Sequence, residues 1–415
     1  MLSIEGNIVN TDKVFRGRIE IDESGTINKI GSPTGAADFI FGEELIFPGF
    51  IDLHVHARED TTHQEDYKEN FTTAGEAAIN GGVVAFAEMP NNPIPPIDDA
   101  SYEAKNNLAK KSPVDILLYA AIGHNTKPLT KKIPYKVFMT KSVGDLFFNA
   151  KEELENTIKN YSGQYVSFHS EDPEILEKKT QELTHELRRP PEAEISGIDF
   201  ALKLIEKYNI FGKICHVSTA KGIQKIIEAK QRGVKVAVEV TPHHLYFAKA
   251  NKNLQVNPPI RTKEDCATLI KLLKNGDINF LATDHAPHTK EEKEKGISGM
   301  PHLDTYGPFV TWLMKEHNFT PEEIARVCAY NPANFLNNFL ENKFGEIKEG
   351  YIGSVTIIDT NKPTTVTGEM LKTKCGWSPF EGVIFPGSVS MTIIKGIPYQ
   401  SKLGTGQEIL KQHDK

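Results

Sequence analysis

The chain has 415 residues, with 48 Lys and Arg against 55 Asp and Glu, a formal net charge of −7. That balance argues against a nucleic-acid partner, which calls for a basic face. Hydrophobic residues make up 39% and charged residues 25%, ordinary for a globular enzyme, with room for one large α/β domain and a smaller one. No charged-then-apolar leader pattern and no run of 18 apolar residues is found, which gives the expectation of a cytoplasmic protein with no membrane partner. The four cysteines (215, 266, 328 and 375) show no CxxC spacing, so neither disulfides nor a thiolate metal site is expected.

In chain order, the first 46 residues alternate in short β pieces such as Ile19-Glu20-Ile21-Asp22 and Thr26-Ile27-Asn28-Lys29-Ile30. The middle of the chain alternates apolar runs with helical patterns. The expected strands cover residues 50–56, 83–89, 115–122, 135–140, 165–170, 213–218, 235–241 and 279–285. Several are almost wholly apolar, as strands buried on both faces should be. Between them, Leu202, Leu204 and Ile205 with Tyr208, then Ile223, Ile226 and Ile227, then Leu269, Leu272 and Leu273 recur at helical spacing. Gly81-Gly82, Gly212, Gly233 and Gly276 punctuate the returns to strand. Thr320-Pro321-Glu322-Glu323 reads as a capped helix start. Short β pieces return at 354–358 and 390–394.

Eight strand–helix units predict an α/β protein with a (β/α)8 TIM-like barrel, favoured over a doubly wound sheet because the alternation runs to eight. The two β-rich ends are expected to pair into one small β-sandwich domain, residues 1–46 plus 345–415, around a barrel of residues 47–344.

Chemistry-bearing residues fall near the ends of these strands. His54 and His56 close the first, and residues i and i+2 of a strand point the same way, so both imidazoles can reach one metal ion. Asp52 and Arg58 share that parity. Asn91 follows strand two in Glu88-Met89-Pro90-Asn91-Asn92. Lys136 lies inside the apolar strand four, His169 ends strand five, His216 lies at the end of strand six and Asp284 at the end of strand eight. That rim is where barrel enzymes do chemistry. Four imidazoles and a carboxylate suit two divalent ions, most plausibly zinc. A lysine fits among them if carbon dioxide converts its amine to a carbamate that bridges both ions. His243, His244 and His285 are read as supporting or structural, and Cys215 as a core thiol on the strand face opposite His216. The charged run 290–295, inside residues 286–304, raises the expectation of a lid. No phosphate-cradling glycine motif stands in the right context.

The motifs HVHAR (54–58), EMPNN (88–92), YKVFM (135–139), FHSED (168–172), CHVSTAKG (215–222), VNPPIR (256–261) and TDHAPH (283–288) together resemble the amidohydrolase superfamily, and within it the dihydroorotase branch, over nearly the whole chain. The resemblance implies two Zn2+ per subunit. One would be held by His54, His56, the carboxylated Lys136 and Asp284, and the other by the same carbamate, His169 and His216. It also implies a bridging hydroxide, with Asp284 as general acid and base, and a substrate carboxylate bound by Arg58, Asn91 and His288, with Asn257 on the pyrimidine ring. The implied reaction is reversible hydrolysis of (S)-dihydroorotate to N-carbamoyl-L-aspartate in pyrimidine (UMP) biosynthesis. Hydantoinase, dihydropyrimidinase or allantoinase activity is the alternative, and an inactive scaffold subunit the remote one. A homodimer and association with a transcarbamoylase are both compatible with the resemblance. The chain departs from the branch pattern at Arg58-Glu59-Asp60-Thr61, where Arg-Asp/Glu-Pro-Gly is usual, at Asn92, and at Met300–Thr305.

Overall fold

A computed structural model describes residues 1–33, 35–140, 146–249 and 251–404. The N-terminal segment contributes four strands, β1 (Leu2–Val9), β2 (Val14–Ile21), β3 (Ile27–Gly31) and β4 (Phe39–Pro48). The barrel strands follow as β5 (Phe50–Val55), β6 (Val83–Glu88), β7 (Asp115–Leu118), β8 (Ala120–Ile122), β9 (Tyr135–Phe138), β10 (Tyr165–His169), β11 (Phe211–Ile214), β12 (Val236–Val240) and β13 (Phe280–Leu281). The C-terminal part adds β14 (Val355–Asp359), β15 (Thr364–Thr365), β16 (Ile384–Phe385), β17 (Ser388–Ile394) and β18 (Ile397–Gln400). Both ends meet in one seven-stranded mixed sheet of order β18-β17-β14-β4-β1-β2-β3. The protein is thus a parallel α/β barrel with a β-sandwich domain. Ile4, Ile19, Ile46, Ile357 and Ile393 are among the fully buried residues of the small domain's own core. Of the C-terminal segment, residues 405–415 lie outside the described residues.

The apolar run from Leu45 to Leu53 is one stretch in sequence but two strands in space. β4 pairs with β1 and β14 in the small sheet, whereas β5 pairs with β6 in the barrel. Gly49 stands between them, and a Cβ there would come 2.3 Å from Val84. The single strand expected over 115–122 is also divided. β7 pairs with β6 and β8 with β9, and the fully buried Tyr119 lies at the break. Gly212 is not a turn glycine but part of β11, where close contact with Ile205 requires the missing side chain. Gly276 does end its helix in the left-handed region, at φ 87°, and the helix at Pro321 carries the expected capping box between Thr320 and Glu323.

Ladders join β8 through β13 in parallel on one side and β5 through β7 on the other. Between β5 and β13 the ladder is reduced to a parallel bridge, Val55 to His285, with His56 N donating to His285 O at 2.7 Å. The buried carboxylate of Asp52 reinforces this seam. It accepts from Thr283 N at 3.1 Å, from the Thr283 hydroxyl, and from His54 N at 3.0 Å. Buried donors left without an acceptor cost about 1–3 kcal/mol each. Asp52→Ala is therefore expected to lower unfolding free energy by about 3 kcal/mol, read as a shift of the urea midpoint at unchanged slope.

Candidate active site

The carboxyl ends of the parallel strands open into a cavity of about 290 Å³. His54, His56, Arg58, Asn91, His169, His216, Asn257, Asp284 and His288 all line it. The remaining sequence-derived residue, Lys136, is fully buried in β9.

Strand geometry alone does not bring them together. β5 ends at Val55, so Arg58 lies beyond the alternation that the sequence suggests. Its backbone turns into the left-handed region at φ 65°, as do His216 at 36° and Asp284 at 50°. Non-glycine residues in that region cost about 1–3 kcal/mol each and persist where the surroundings fix them. The turns redirect side chains that a continued strand would have aimed elsewhere. β13 stops at Leu281, short of the expected end at 285, and Asp284 has already turned.

Three of the imidazoles share a common pattern. His54 Nδ1 pairs with the carboxylate of Glu239, His56 Nδ1 with Asn91 Oδ1 at 2.6 Å, and His169 Nε2 with Glu171 Oε2 at 3.0 Å. Each holds one ring nitrogen on a protein acceptor, which leaves the other as a lone-pair donor. Those other nitrogens converge. His54 Nε2 and His56 Nε2 lie 3.2 and 3.1 Å from Asp284 Oδ1, and His169 Nδ1 is 3.0 Å from His216 Nε2. One ligand atom each from His54, His216 and Asp284 falls within a 4.8 Å span. Burial, followed by the charge of Lys136, pushes His54 well below the usual imidazole range. Burial and the neighbouring His169 do the same for His216. Burial raises the Asp284 carboxyl to about 7. Neutral, aimed imidazoles around a carboxylate are the donor set of a divalent-metal site.

Lys136 has no ion-pair partner among the described residues. Its Nζ lies 2.9 Å from Cys215 Sγ. Cys215 therefore faces the site, contrary to its expected place on the far side of the strand, because the chain turns after β11 before reaching His216.

Other residues lie behind the cavity. Glu239, fully buried in β12, meets Lys213 Nζ at 2.5 Å as well as His54. Glu171 meets Arg189. Burial opposes the charge of Glu171, but Arg189 and His169 outweigh it and hold the carboxyl near 2. Lys105 bridges Glu88, at 2.6 Å, and Asn92, bracketing the loop that carries Asn91. The signal that singled out Lys136, a charge inside an apolar strand, applies equally to Lys213 and Glu239. Lys105 and Arg189 carry no comparable signal, since their partners are distant in sequence. The supporting reading of the other histidines agrees with their contacts. His244 bonds Thr241 Oγ1 at 2.8 Å and Pro258 O at 3.0 Å, and His285 Nδ1 accepts from His302 N at 2.9 Å. The charged run after Thr289 is a short helix, Lys290–Glu294, whose Lys293 turns inward to donate to Gln255 O, Ile297 O and Gly299 O at 2.8–2.9 Å.

Residues 45–397 match the model of the amidohydrolase family. The dihydroorotase of Pyrococcus furiosus is 34% identical over 402 residues, covering 95% of this chain and 91% of that protein. The dihydroorotase of Thermococcus kodakarensis is 33% identical, covering 99% and 96%. In fold, the L-hydantoinase (dihydropyrimidinase) of Arthrobacter aurescens superposes with a TM-score of 0.88 at 22% identity, over 99% of this chain and 97% of that one. This chain belongs to the amidohydrolase family. Membership implies a binuclear metal centre, and the donor set above fits one. Among the described residues, no helix is long and apolar enough to cross a membrane.

With the Asp284 carboxyl raised to about 7, a metal ion held by it would displace its proton. Below pH 7 the apparent zinc affinity of the metal-free protein is expected to fall by about tenfold per pH unit on this group alone. Competition against a chelator at pH 6 and pH 8 checks it.

Proposed function

We propose that the protein is a dihydroorotase, opening (S)-dihydroorotate to N-carbamoyl-L-aspartate and closing it in reverse, in pyrimidine biosynthesis. The observation that carries the reading is Arg58. Its guanidinium is 3% exposed in the cavity wall. Nε donates to Pro287 O at 3.3 Å and Nη2 to His288 Nε2 at 3.1 Å, leaving Nη1 without a hydrogen bond to any described residue. A buried cation with a donor group to spare suits a substrate carboxylate, which its planar fork can grip at two points. Asn91 adds to this. Its carbonyl oxygen is taken by His56, and its amide N–H groups, which have no acceptor among the described residues, are assigned to a ligand. Asn257, whose Oδ1 accepts from Ser298 Oγ at 3.2 Å, lines the same cavity and is assigned to the ring.

We assign His54, His56 and Asp284 to one zinc ion, His169 and His216 to a second, and Lys136, carboxylated, to both. The supporting observation for Lys136 is a fully buried amine whose Nζ lies 2.9 Å from Cys215 Sγ and forms no ion pair among the described residues. When bound, the ions would supply Lewis acidity at the ring carbonyl and acidify water to a nucleophile near neutral pH. The chain's own part is to hold the ring by its carboxylate and to move one proton. The carboxylate of Asp284 takes the proton of the attacking water and returns it to the departing ring nitrogen, and runs the opposite way in ring closure. We divide the chain into a small domain of residues 1–46 plus 345–415, of which 405–415 lie outside the described residues, and a barrel of residues 47–344; the seven-stranded sheet supports this reading, although β4 carries that sheet on to Pro48.

Zinc-loaded protein is expected to prefer L-dihydroorotate over dihydrouracil, the same ring without the carboxylate, by at least about a hundredfold in kcat/KM, since a site built around a polar group rejects the analogue lacking it. A preference for dihydrouracil would move the protein to the dihydropyrimidinase side. Lys136→Ala is expected to bind less than two zinc ions per chain, read by elemental analysis after gel filtration.

A further inference from the structure

Behind the Arg58–His288 pair lies a cluster that the proposed chemistry does not use. Glu292, in the helix Lys290–Glu294, accepts from His288 Nδ1 through Oε2 at 3.1 Å. Its other oxygen accepts from the Tyr67 hydroxyl at 2.6 Å and lies 3.1 Å from Lys68 Nζ. Thr289 N also donates to Oε2 at 3.1 Å, and Glu65 pairs with Lys68 at 2.8 Å. Glu292 therefore joins the segment after β5, which carries Arg58, Tyr67 and Lys68, to the segment after β13, which carries His288. Two of the chain's three departures from the usual branch pattern, at 58–61 and 300–305, lie in these segments.

The contacts form an ordered relay. Because Glu292 takes the Nδ1 proton, neutral His288 must present its Nε2 lone pair, and Arg58 donates to that atom. With Nε fixed on Pro287 O and Nη2 on His288, the plane of the guanidinium is set and Nη1 is left for a ligand. If the opposite tautomer formed, Nε2–H would face an Arg58 N–H, donor against donor, and the guanidinium would lose one of its two tethers. Burial and the charge of Arg58 hold His288 uncharged in the free protein, which keeps the relay in this sense. The main chain of His288 is held separately, by Trp377 Nε1 donating to its carbonyl at 2.7 Å, so the side chain is what Glu292 controls.

We propose that Glu292, clamped by Tyr67 and Lys68, is a positioning residue for substrate-carboxylate recognition, acting by fixing the tautomer of His288 and through it the aim of Arg58. This rests on the dihydroorotase reading of the same site. It assigns recognition strength to a carboxylate that does not line the cavity, and it predicts an effect on binding without one on chemistry, because the proposed reaction takes place at the metal ligands and not at the Arg58–His288 pair.

The test is steady-state kinetics of zinc-loaded wild type, Glu292→Ala, Glu292→Gln and Tyr67→Phe with L-dihydroorotate, with zinc content and melting temperature measured alongside. Glu292→Ala is expected to raise KM at least tenfold and to change kcat less than threefold at full zinc content. Glu292→Gln, whose side-chain oxygen still accepts from Nδ1, is expected to recover KM to within about threefold of wild type. Tyr67→Phe, at a half-exposed position where misfolding is not at issue, is expected to raise KM about threefold. An unchanged KM in Glu292→Ala would overturn the proposal. So would a fall in kcat as large as the rise in KM, or a Gln variant no better than Ala, either of which marks a merely structural role. Wild type with no turnover of dihydroorotate would overturn the underlying reading instead, whatever the variants do.

Discussion

The site depends on one buried carboxylate, that of Glu239. It is 0% exposed in β12 and draws two other strands to its own: β5 through His54 Nδ1, and β11 through Lys213 Nζ and, in the turn that follows, His216 N at 3.3 Å. A lone buried carboxylate would be prohibitively costly, and a lone buried lysine equally so. Paired at 2.5 Å, with Lys213 also donating to Leu53 O at 3.1 Å, each satisfies the other. The pair contributes little net stability. Its consequence is geometric: it fixes the tautomer of His54 and ties two ligand-bearing strands to a third.

The same logic is repeated around the cavity. The imidazoles of His54, His56 and His169 are each held at the other nitrogen by a protein acceptor, and the two carboxylate acceptors are themselves ion-paired, Glu239 to Lys213 and Glu171 to Arg189. Asn91 lies beside the Lys105 contacts to Glu88 and Asn92. This outer layer makes the inner one rigid, which a metal-binding constellation requires if it is to present lone pairs rather than compete with itself. It also offsets the backbone strain at Arg58, His216 and Asp284, whose left-handed turns would not persist in an unsupported loop.

The small domain contributes to the site without lining it. β4 runs straight through Gly49 into β5, the strand that ends in His54-Val55-His56, so the sheet built from both chain ends fixes where that strand enters the barrel. Thr356, in β14, donates to Gly82 O at 2.5 Å and accepts from Phe50 N at 3.2 Å, tying the sandwich to the first two barrel strands. Trp377, from the C-terminal part, reaches the His288 carbonyl.

The sequence by itself determined the architecture and the ligand inventory. Buried strands must be apolar and helices periodic, so the alternation of the two is written locally, and a histidine or aspartate at a strand end stands out against such a background. The sequence also set the parity that puts His54 and His56 on one side. Only the tertiary structure decided how the rest converge. Arg58, His216 and Asp284 are aimed by backbone turns that leave no mark on side-chain spacing. The division of the strand at Tyr119 and the place of Gly212 inside β11 follow from neighbours far along the chain. So do Glu239, Glu171, Lys105 and Glu292, because a carboxylate or lysine gains its meaning from a partner supplied by another strand, and sequence order does not record which strands will be neighbours.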